Sequence, residues 1–299
     1  MRDIRVIALD LDGTLLDSQK RLSAVNREAL EYAAAKGVHI VPTTGRFFGM
    51  MPEAVRDLPF VRYAITINGA QVYDRETDTA IVREEISVER AVEIMKLLDG
   101  FDVIYDCYRN NWGWMSASLQ DKAEAYATDE HYLKMVREFR NPVPDLKRHL
   151  LDTEPEGGVQ KVMLFSRNDD PEAKELRAIE KAMAERFPEI KITSSTWNDL
   201  EFNNPSAHKG SSLARFAEHL GFGLENCMTF GDGRNDITMI EAAGIGVAME
   251  NAVEEVKSVA DYITKSNDEN GVAEAIYFFL KKKWSPDKVN ATVGRLNAT

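Results

Sequence analysis

Hydrophobic positions along the chain fall into two kinds of stretch. Short, nearly unbroken runs of β-forming residues recur toward both ends: Arg5-Val6-Ile7-Ala8-Leu9, Val38-His39-Ile40-Val41, Tyr63-Ala64-Ile65-Thr66-Ile67, Cys227-Met228-Thr229-Phe230 and Ile245–Met249. Runs this apolar, without alternation, predict strands covered on both faces, as in a parallel sheet. Amphipathic stretches separate them. Ser23 caps a predicted helix carrying Val25, Leu30, Tyr32 and Ala33-Ala34-Ala35, and Gly37 ends it. Further helices are predicted from Phe47 to Arg56, over 210–220, up to Ala243, over 253–257 and from about 270 to 282, with Tyr262-Ile263 as a last short strand. Strand and helix alternating at this spacing predict an α/β fold with a parallel-sheet, Rossmann-like core.

The middle of the chain is patterned differently. Gln71 to Arg83 alternates like a hairpin, Ser87 to Leu98 reads as an amphipathic helix, and strand-like aromatics flank an Asn110-Asn111 turn between Asp102 and Met115. Charged helical stretches follow, then strands over 159–165, 190–193 and 199–202 and a helix over 172–186. Hairpins mixed with helices predict an inserted α/β domain over residues 85–203, with 1–84 and 204–299 forming the core.

Composition narrows the partners. A chain of 299 residues with 44% hydrophobic and 29% charged residues has ample length for a proper core. Its formal net charge of −12 argues against nucleic acid and anionic membrane, both of which are bound through clustered Lys and Arg. A small phosphorylated ligand remains compatible, because it responds to the local field of a pocket. Cys107 and Cys227 lie far apart and suggest neither zinc nor a disulfide framework. No signal peptide precedes the first strand and no apolar run approaches ~18 residues, so the expectation is a reduced, cytoplasmic protein, monomeric or a small homo-oligomer. Lys281-Lys282-Lys283 reads as a solvated helix end.

The candidate chemistry begins where the first strand ends, in Asp10-Leu11-Asp12-Gly13-Thr14. Two carboxylates at the mouth of a buried strand are costly unless something uses them, and Mg²⁺, which prefers oxygen ligands, would. A surface turn is the alternative; an EF-hand is excluded because the Gly comes too early. Three other strand ends or helix entries carry suggestive groups: Thr44-Gly45, Lys209, and Asp232 with Asn235 and Asp236. Singly they read as a helix entry, a solvated lysine and a turn that caps a helix. Together they would converge on the carboxyl edge of one sheet, where open α/β folds bind ligands. Two like charges 4 Å apart repel by ~4 kcal/mol at an effective dielectric near 20, so a phosphate dianion beside Asp10 and Asp232 needs Mg²⁺ and Lys209 to neutralise it.

These residues resemble a known family. Asp10-x-Asp12-Gly13-Thr14, Thr44-Gly45-Arg46, His208-Lys209-Gly210 and Gly231-Asp232-x-x-Asn235-Asp236 look like the four motifs of the haloacid dehalogenase superfamily, in the right order and spacing. Asn68-Gly69-Ala70, Val247-Ala248-Met249 with Asn251-Ala252, and the segment from Asp261 to Ala273 look like its Cof-like phosphatases, which carry a large α/β cap. The resemblance implies an Mg²⁺-dependent phosphatase acting on a small phosphorylated metabolite, a sugar phosphate foremost, through an aspartyl-phosphate. It implies Asp10 as nucleophile and Asp12 as acid/base. Asp10, the Asp12 carbonyl and Asp232 would hold the metal, with Asp236 behind them. Thr44, Lys209, Asn235 and the amides of Leu11 and Gly45 would hold the phosphate. Thr43, Ser206, Arg234 and Glu250 depart from the family's usual residues without removing a catalytic group.

Rival readings are a phosphomutase of the same superfamily, a binding protein without activity, and a phospho-accepting receiver domain. A receiver has no equivalent of Asp12 and is about half this length. In the cap, Tyr105, Tyr108, Trp112 and Trp114 could stack on a leaving group, but building the cap's own core is the preferred reading. His131 and His149 have no motif around them and read as surface residues.

Overall fold

The computed structural model describes residues 3–281 except 129, 170 and 171, so Lys282, Lys283 and the tail lie outside the described residues. In chain order its strands are β1 (Val6–Leu9), β2 (His39–Pro42), β3 (Tyr63–Thr66), β4 (Gln71–Asp74), β5 (Thr79–Arg83), β6 (Val103–Arg109) and β7 (Trp112–Ser116). They continue with β8 (Arg140–Val143), β9 (Lys161–Ser166), β10 (Lys191–Thr193), β11 (Asp199–Asn203), β12 (Cys227–Gly231), β13 (Ile245–Ala248) and β14 (Tyr262–Ile263). The described residues form two compact units: one up to Val82 and from His208 onward, the other Arg83–Ala207.

The first unit is built on a five-stranded parallel sheet in the order β14-β13-β12-β1-β2. All four residues of β1 are buried, as a central strand covered on both faces requires. Alternation sends them to opposite sides. Ile7 and Leu9 join the apolar layer formed with helices Ala24–Ala34 and Gly271–Lys281, whereas Val6 and Ala8 join the layer containing Leu213, Phe216 and Ala217 of helix Lys209–His219. Helix Ala24–Ala34 starts as its sequence predicts, with the Ser23 side chain accepting from the Asn26 amide at 3.0 Å.

Two expectations need correction. The stretch from Phe47 to Arg56 is not one helix: a single turn, Phe48–Met50, and a short helix, Glu53–Arg56, flank Pro52. Proline has no amide to donate and drives the residue before it out of the helical region; Met51 has ψ 144°. The third strand, β3, does lie parallel to the chain leaving β2, through the bridge Thr43↔Ile65 and the Thr44 amide donating to the Ile65 carbonyl (2.9 Å), but it stands outside the five-stranded ladder and pairs antiparallel with β4 over its whole length. Gln71 to Arg83 does form the expected pair of strands, so β3, β4 and β5 make a small sheet of their own.

The second unit carries a six-stranded sheet, β10-β11-β9-β6-β7-β8. The unit spans Arg83–Ala207, and within it the Asn204 side-chain amide donates to the Glu85 carbonyl (2.9 Å) and Lys191 Nζ to the Ala207 carbonyl (3.4 Å). Neighbouring strands are antiparallel apart from β7 and β8. The β6–β7 turn uses Asn110 and Asn111 with φ 50° and 62°, the left-handed pair that a tight hairpin needs. One face of the sheet presents Tyr105, Cys107, Val162, Leu164, Leu200 and Phe202 to an apolar core. Among the residues that alternate with these, Asp106, Lys161 and Glu201 are charged yet buried, and each is paired. Arg140 Nε donates to Asp106 at 2.7 Å and Lys161 Nζ to Glu201 at 3.0 Å, with both cations against the Tyr108 ring. Tyr105 and Tyr108 are thus structural, Trp114 stacks on a half-buried His149 at 4.6 Å, and Trp112 is 53% exposed. His149 is therefore not a plain surface residue; the His131 side chain is outside the described set.

Two glycines should respond oppositely to alanine. Gly37 (φ +80°) has open space around a built Cβ, whereas one on Gly210 would lie 2.2 Å from the Thr238 carbonyl oxygen. Gly37→Ala is expected to cost only the left-handed backbone penalty, about 1–2 kcal/mol. Gly210→Ala should cost more, despite the ~1 kcal/mol by which alanine favours a helix over glycine. Urea denaturation of both variants checks the order.

Candidate active site

The parallel register decides which residues meet. Leu9 pairs with Pro42 on one side and Phe230 on the other, so Asp10, Thr43-Thr44 and Gly231-Asp232 leave the sheet at one level. The Asp10 amide donates to the Phe230 carbonyl at 3.0 Å and the Thr43 amide to the Leu9 carbonyl at 2.8 Å, extending the ladder past the strand ends.

Lys209 comes from the first turn of its helix, behind a His208 N-cap whose ring nitrogen accepts from the Ser211 amide at 3.1 Å. Its Nζ is wholly buried and donates to Asp10 Oδ1 (2.7 Å) and Asp236 Oδ1 (2.6 Å). The other oxygen of Asp236 accepts from the amides of Asp232 and Gly233, both at 3.0 Å. Thr14, four residues past the nucleophile candidate, donates its hydroxyl to Asp232 Oδ1 at 2.7 Å. One carboxylate oxygen from each of Asp10, Asp232 and Asp236 lies within 4.8 Å of the other two.

Close backbone approach holds this edge together. A Cβ on Gly13 (φ +80°) would sit 2.4 Å from an Asp232 carboxylate oxygen, and one on Gly69 (φ +94°) 2.4 Å from the His208 carbonyl carbon. Just before Gly69, Ile67 and Asn68 adopt φ 54° and 57°; for the β-branched Ile67 this is a strained geometry. The strain brings the Ile67 amide to the Arg46 carbonyl (3.0 Å) and the Asn68 amide to the Thr44 carbonyl (3.1 Å), fixing the loop that carries Thr44 and Gly45.

The electrostatics are unbalanced. Three carboxylates surround one ammonium. Burial pushes the Asp10 carboxyl up to about 7 against the pull of Lys209, with Asp236 and Asp232 adding to the rise. Burial also raises Asp232, partly offset by the Thr14 hydroxyl. Burial alone would favour a neutral Lys209, but Asp10 and Asp236 outweigh it and hold the amine charged. This donor set, oxygen-rich and with net negative charge, fits a hard divalent cation. Asp236 has both oxygens engaged, so Asp10 and Asp232 are the side chains open to such an ion.

The remaining candidates are dispersed around this centre. Thr44 is buried beside it, with Gly45 and Arg46 next in the loop, and Leu11 is buried behind Asp10. Asn235 is exposed on the turn Arg234–Asp236, where Arg234 pairs with Glu255 at 2.5 Å. Asp12 stands apart from the three-carboxylate cluster: its oxygens meet Arg46 Nη2 and Lys20 Nζ, both at 2.8 Å. Neither Thr14 nor Lys20 is assigned a role by the sequence pattern. Thr14 sits within the opening motif, but only the fold shows that its hydroxyl belongs to Asp232.

Comparison with known proteins places the chain among relatives of one family. A sequence profile of the haloacid dehalogenase-like hydrolases matches residues 7–276. The chain is 32% identical over 274 residues to a 5-amino-6-(5-phospho-D-ribitylamino)uracil phosphatase of Bacillus subtilis, covering 92% of this chain and 95% of that protein. It is 29% identical to a pyridoxal phosphate phosphatase of Escherichia coli, covering 92% and 98%. A solved haloacid dehalogenase-like hydrolase from Bacteroides thetaiotaomicron superposes with a TM-score of 0.77 at 29% identity, covering 92% and 99%. Among the described residues no helix is long and apolar enough to cross a membrane.

The raised Asp10 carboxyl has a signed consequence. Its folded value lies above the unfolded 3.8, so the stability it confers is present at low pH and is lost as pH rises toward about 7. A divalent cation offsets that loss. Millimolar Mg²⁺ should therefore raise the melting temperature more at about pH 8 than at about pH 5.5. Thermal melts at both values check this; equal gains would show that Asp10 ionisation is not what the cation offsets.

Proposed function

The chain belongs to the haloacid dehalogenase-like hydrolases and is an enzyme of the phosphoric monoester hydrolase class, and from that premise we propose an Mg²⁺-dependent phosphatase that works through an aspartyl-phosphate on Asp10. The observation that carries this reading is the buried Lys209 ammonium, bonded to Asp10 at 2.7 Å within a cluster of three carboxylates. Phosphate-monoester hydrolysis is among the slowest uncatalysed reactions, so charge stabilisation must be large. A preformed cation in a desolvated site supplies it without reorganisation.

In this reading one carboxylate oxygen of Asp10 attacks phosphorus, and the P–O bond to the leaving alcohol breaks. Asp12 protonates that oxygen and then takes a proton from the water that cleaves the aspartyl ester. Lys209 balances the charge gathered on Asp10 and the phosphoryl oxygens, while Asp236 fixes the ammonium from behind. Thr44, Asn235 and the amides of Leu11 and Gly45 hold the phosphoryl oxygens. Mg²⁺ would be held by Asp10, the Asp12 carbonyl and Asp232, and when bound it supplies Lewis-acid neutralisation of the phosphate. Thr14 keeps Asp232 turned toward the site.

The substrate we infer is a small phosphorylated metabolite, with a phosphorylated sugar or polyol chain foremost. The Bacillus subtilis relative is named for a phosphoribityl compound and the Escherichia coli one for pyridoxal phosphate. Both are monoesters of a primary alcohol with different remainders, which suits a common core and a variable recognition unit. We assign recognition of the remainder to residues 83–207, the second unit.

Phosphate release from an aryl phosphate and from a panel of metabolite monoesters tests the proposal. Wild type should release phosphate only with Mg²⁺ present, and Asp10→Asn should lose more than about a thousandfold in kcat. No difference between the two proteins would reject an enzymatic Asp10. Movement of phosphate between hexose positions without net release would make the chain a phosphomutase.

A further inference from the structure

Asp12 is held in a way that the proposed chemistry does not require of a carboxyl group at a strand end. Arg46 Nη2 donates to Oδ2 and Lys20 Nζ forms an ion pair with Oδ1, each at 2.8 Å; only the Arg46 contact has hydrogen-bond geometry, so one cation faces each oxygen. The two come from separate segments. Arg46 belongs to the loop after β2, where its carbonyl accepts from the strained Ile67 amide. Lys20 belongs to the strap that follows Gly13. There, a tight turn at Asp17 places Lys20 at φ 61°, with the Lys20 amide donating to the Asp17 carbonyl (2.8 Å) and the Asp17 carboxylate accepting from the amides of Gln19 and Arg21 (both 2.9 Å). The turn throws the lysine back toward Asp12.

The strap is itself fastened by polar side chains from the far end of the chain. Asn251 donates to the Gly13 carbonyl (2.8 Å), Asn267 to the Leu16 carbonyl (2.9 Å), and Ser23 to Asn270 Oδ1 (2.6 Å). Asp268 accepts from both the amide and the hydroxyl of Ser18, at 2.8 and 2.6 Å. A partly exposed ion pair of this kind adds little to stability. The ordinary reading of Lys20, whose side chain is 61% exposed, is a surface lysine that happens to find a carboxylate. That reading leaves unexplained why the two oxygens of one carboxyl group are each faced by a cation from an independently anchored segment.

We propose that Arg46 and Lys20 are positioning residues for Asp12, holding its carboxyl in one orientation for proton transfer at the leaving oxygen. The inference rests on Asp12 as acid/base. Arg46, with a planar fork on a fixed loop, keeps Oδ2 throughout. Lys20, on a flexible and exposed stem, yields Oδ1 when that oxygen carries the proton. As the P–O bond breaks, its electron pair goes to the leaving oxygen, which takes the Asp12 proton. Lys20 then returns to the carboxylate so formed. That carboxylate accepts a proton from the water that attacks phosphorus, and inorganic phosphate leaves with Asp10 restored. Good orientation matters because a general acid or base contributes about 10²–10⁴-fold only when placed within hydrogen-bond reach.

Leaving-group dependence separates positioning from binding. The parameter kcat/KM reads through phosphoryl transfer to Asp10, where only the acid role acts. An alkyl ester such as glycerol phosphate needs its leaving oxygen protonated, whereas p-nitrophenyl phosphate does not. For Arg46→Met, kcat/KM for glycerol phosphate should fall about ten- to a hundredfold further than for p-nitrophenyl phosphate. Lys20→Met should shift the same ratio less, and Arg46→Lys should recover part of it. Equal losses for the two esters in both variants would assign the cations to phosphate binding or to folding and overturn the proposal, as would no loss at all. Should Arg46→Met fail to fold, the exposed Lys20→Met decides. Wild type inactive on both esters would instead overturn the phosphatase reading and this inference with it.

Discussion

A single buried ammonium, shared between Asp10 and Asp236, is the interaction on which the site depends. Lys209 is fully buried, and a lone charge there would be prohibitively costly. It persists because two carboxylates desolvated beside it need it as much as it needs them. The surroundings serve that contact. His208 caps the helix that delivers the lysine, Gly210 lets the helix lie against Thr238, and Gly69 lets the chain run past His208 without a side chain between. One positive charge does not neutralise three carboxylates, and the remaining imbalance makes the centre receptive to a divalent cation.

Much of this was legible in the sequence, for definite reasons. Strands buried on both faces leave unbroken apolar runs, so β1, β2, β12 and β13 announced themselves, and with them the places where Asp10, Thr44 and Asp232 leave the sheet. Lys209 was legible as a charge just before a helix, although its burial was not. Errors arose where local chemistry overrode periodicity. Pro52 broke a stretch whose apolar spacing reads as one helix. The third strand was readable as a strand running parallel to the second, but not its antiparallel pairing with β4, because a run of apolar residues does not reveal how many neighbours it takes or in which direction they run. Lys20 left no signal: its approach to Asp12 follows from a left-handed backbone angle and a turn that sequence spacing does not encode.

The second unit shows the opposite balance between pattern and environment. Its helices and hairpins follow their sequence signatures, including the Ser87 cap and the Asn110-Asn111 turn. Alternation along β6, β9 and β11 would suggest that Asp106, Lys161 and Glu201 face water, yet all three are buried and paired, as is Arg140. Buried ion pairs of this kind contribute less to stability than apolar packing of the same volume, and removing one partner is costly. The tyrosine between the two cations makes the network one unit, so substitutions there will not act independently.

The position of β1 in its sheet also bears on how the protein is made. Its neighbour β2 follows within the same short stretch, but its other neighbour, β12, and the lysine that neutralises Asp10, 199 positions downstream, are both translated much later. A ribosome adding about 5–20 residues per second releases the nucleophile candidate long before its counter-charge exists. The second unit, contiguous in sequence, can condense in that interval. The candidate centre is therefore among the last parts of the molecule to acquire its electrostatic form, and a chain interrupted before helix Lys209–His219 carries Asp10 and Asp12 without the lysine, Asp232 or Asp236.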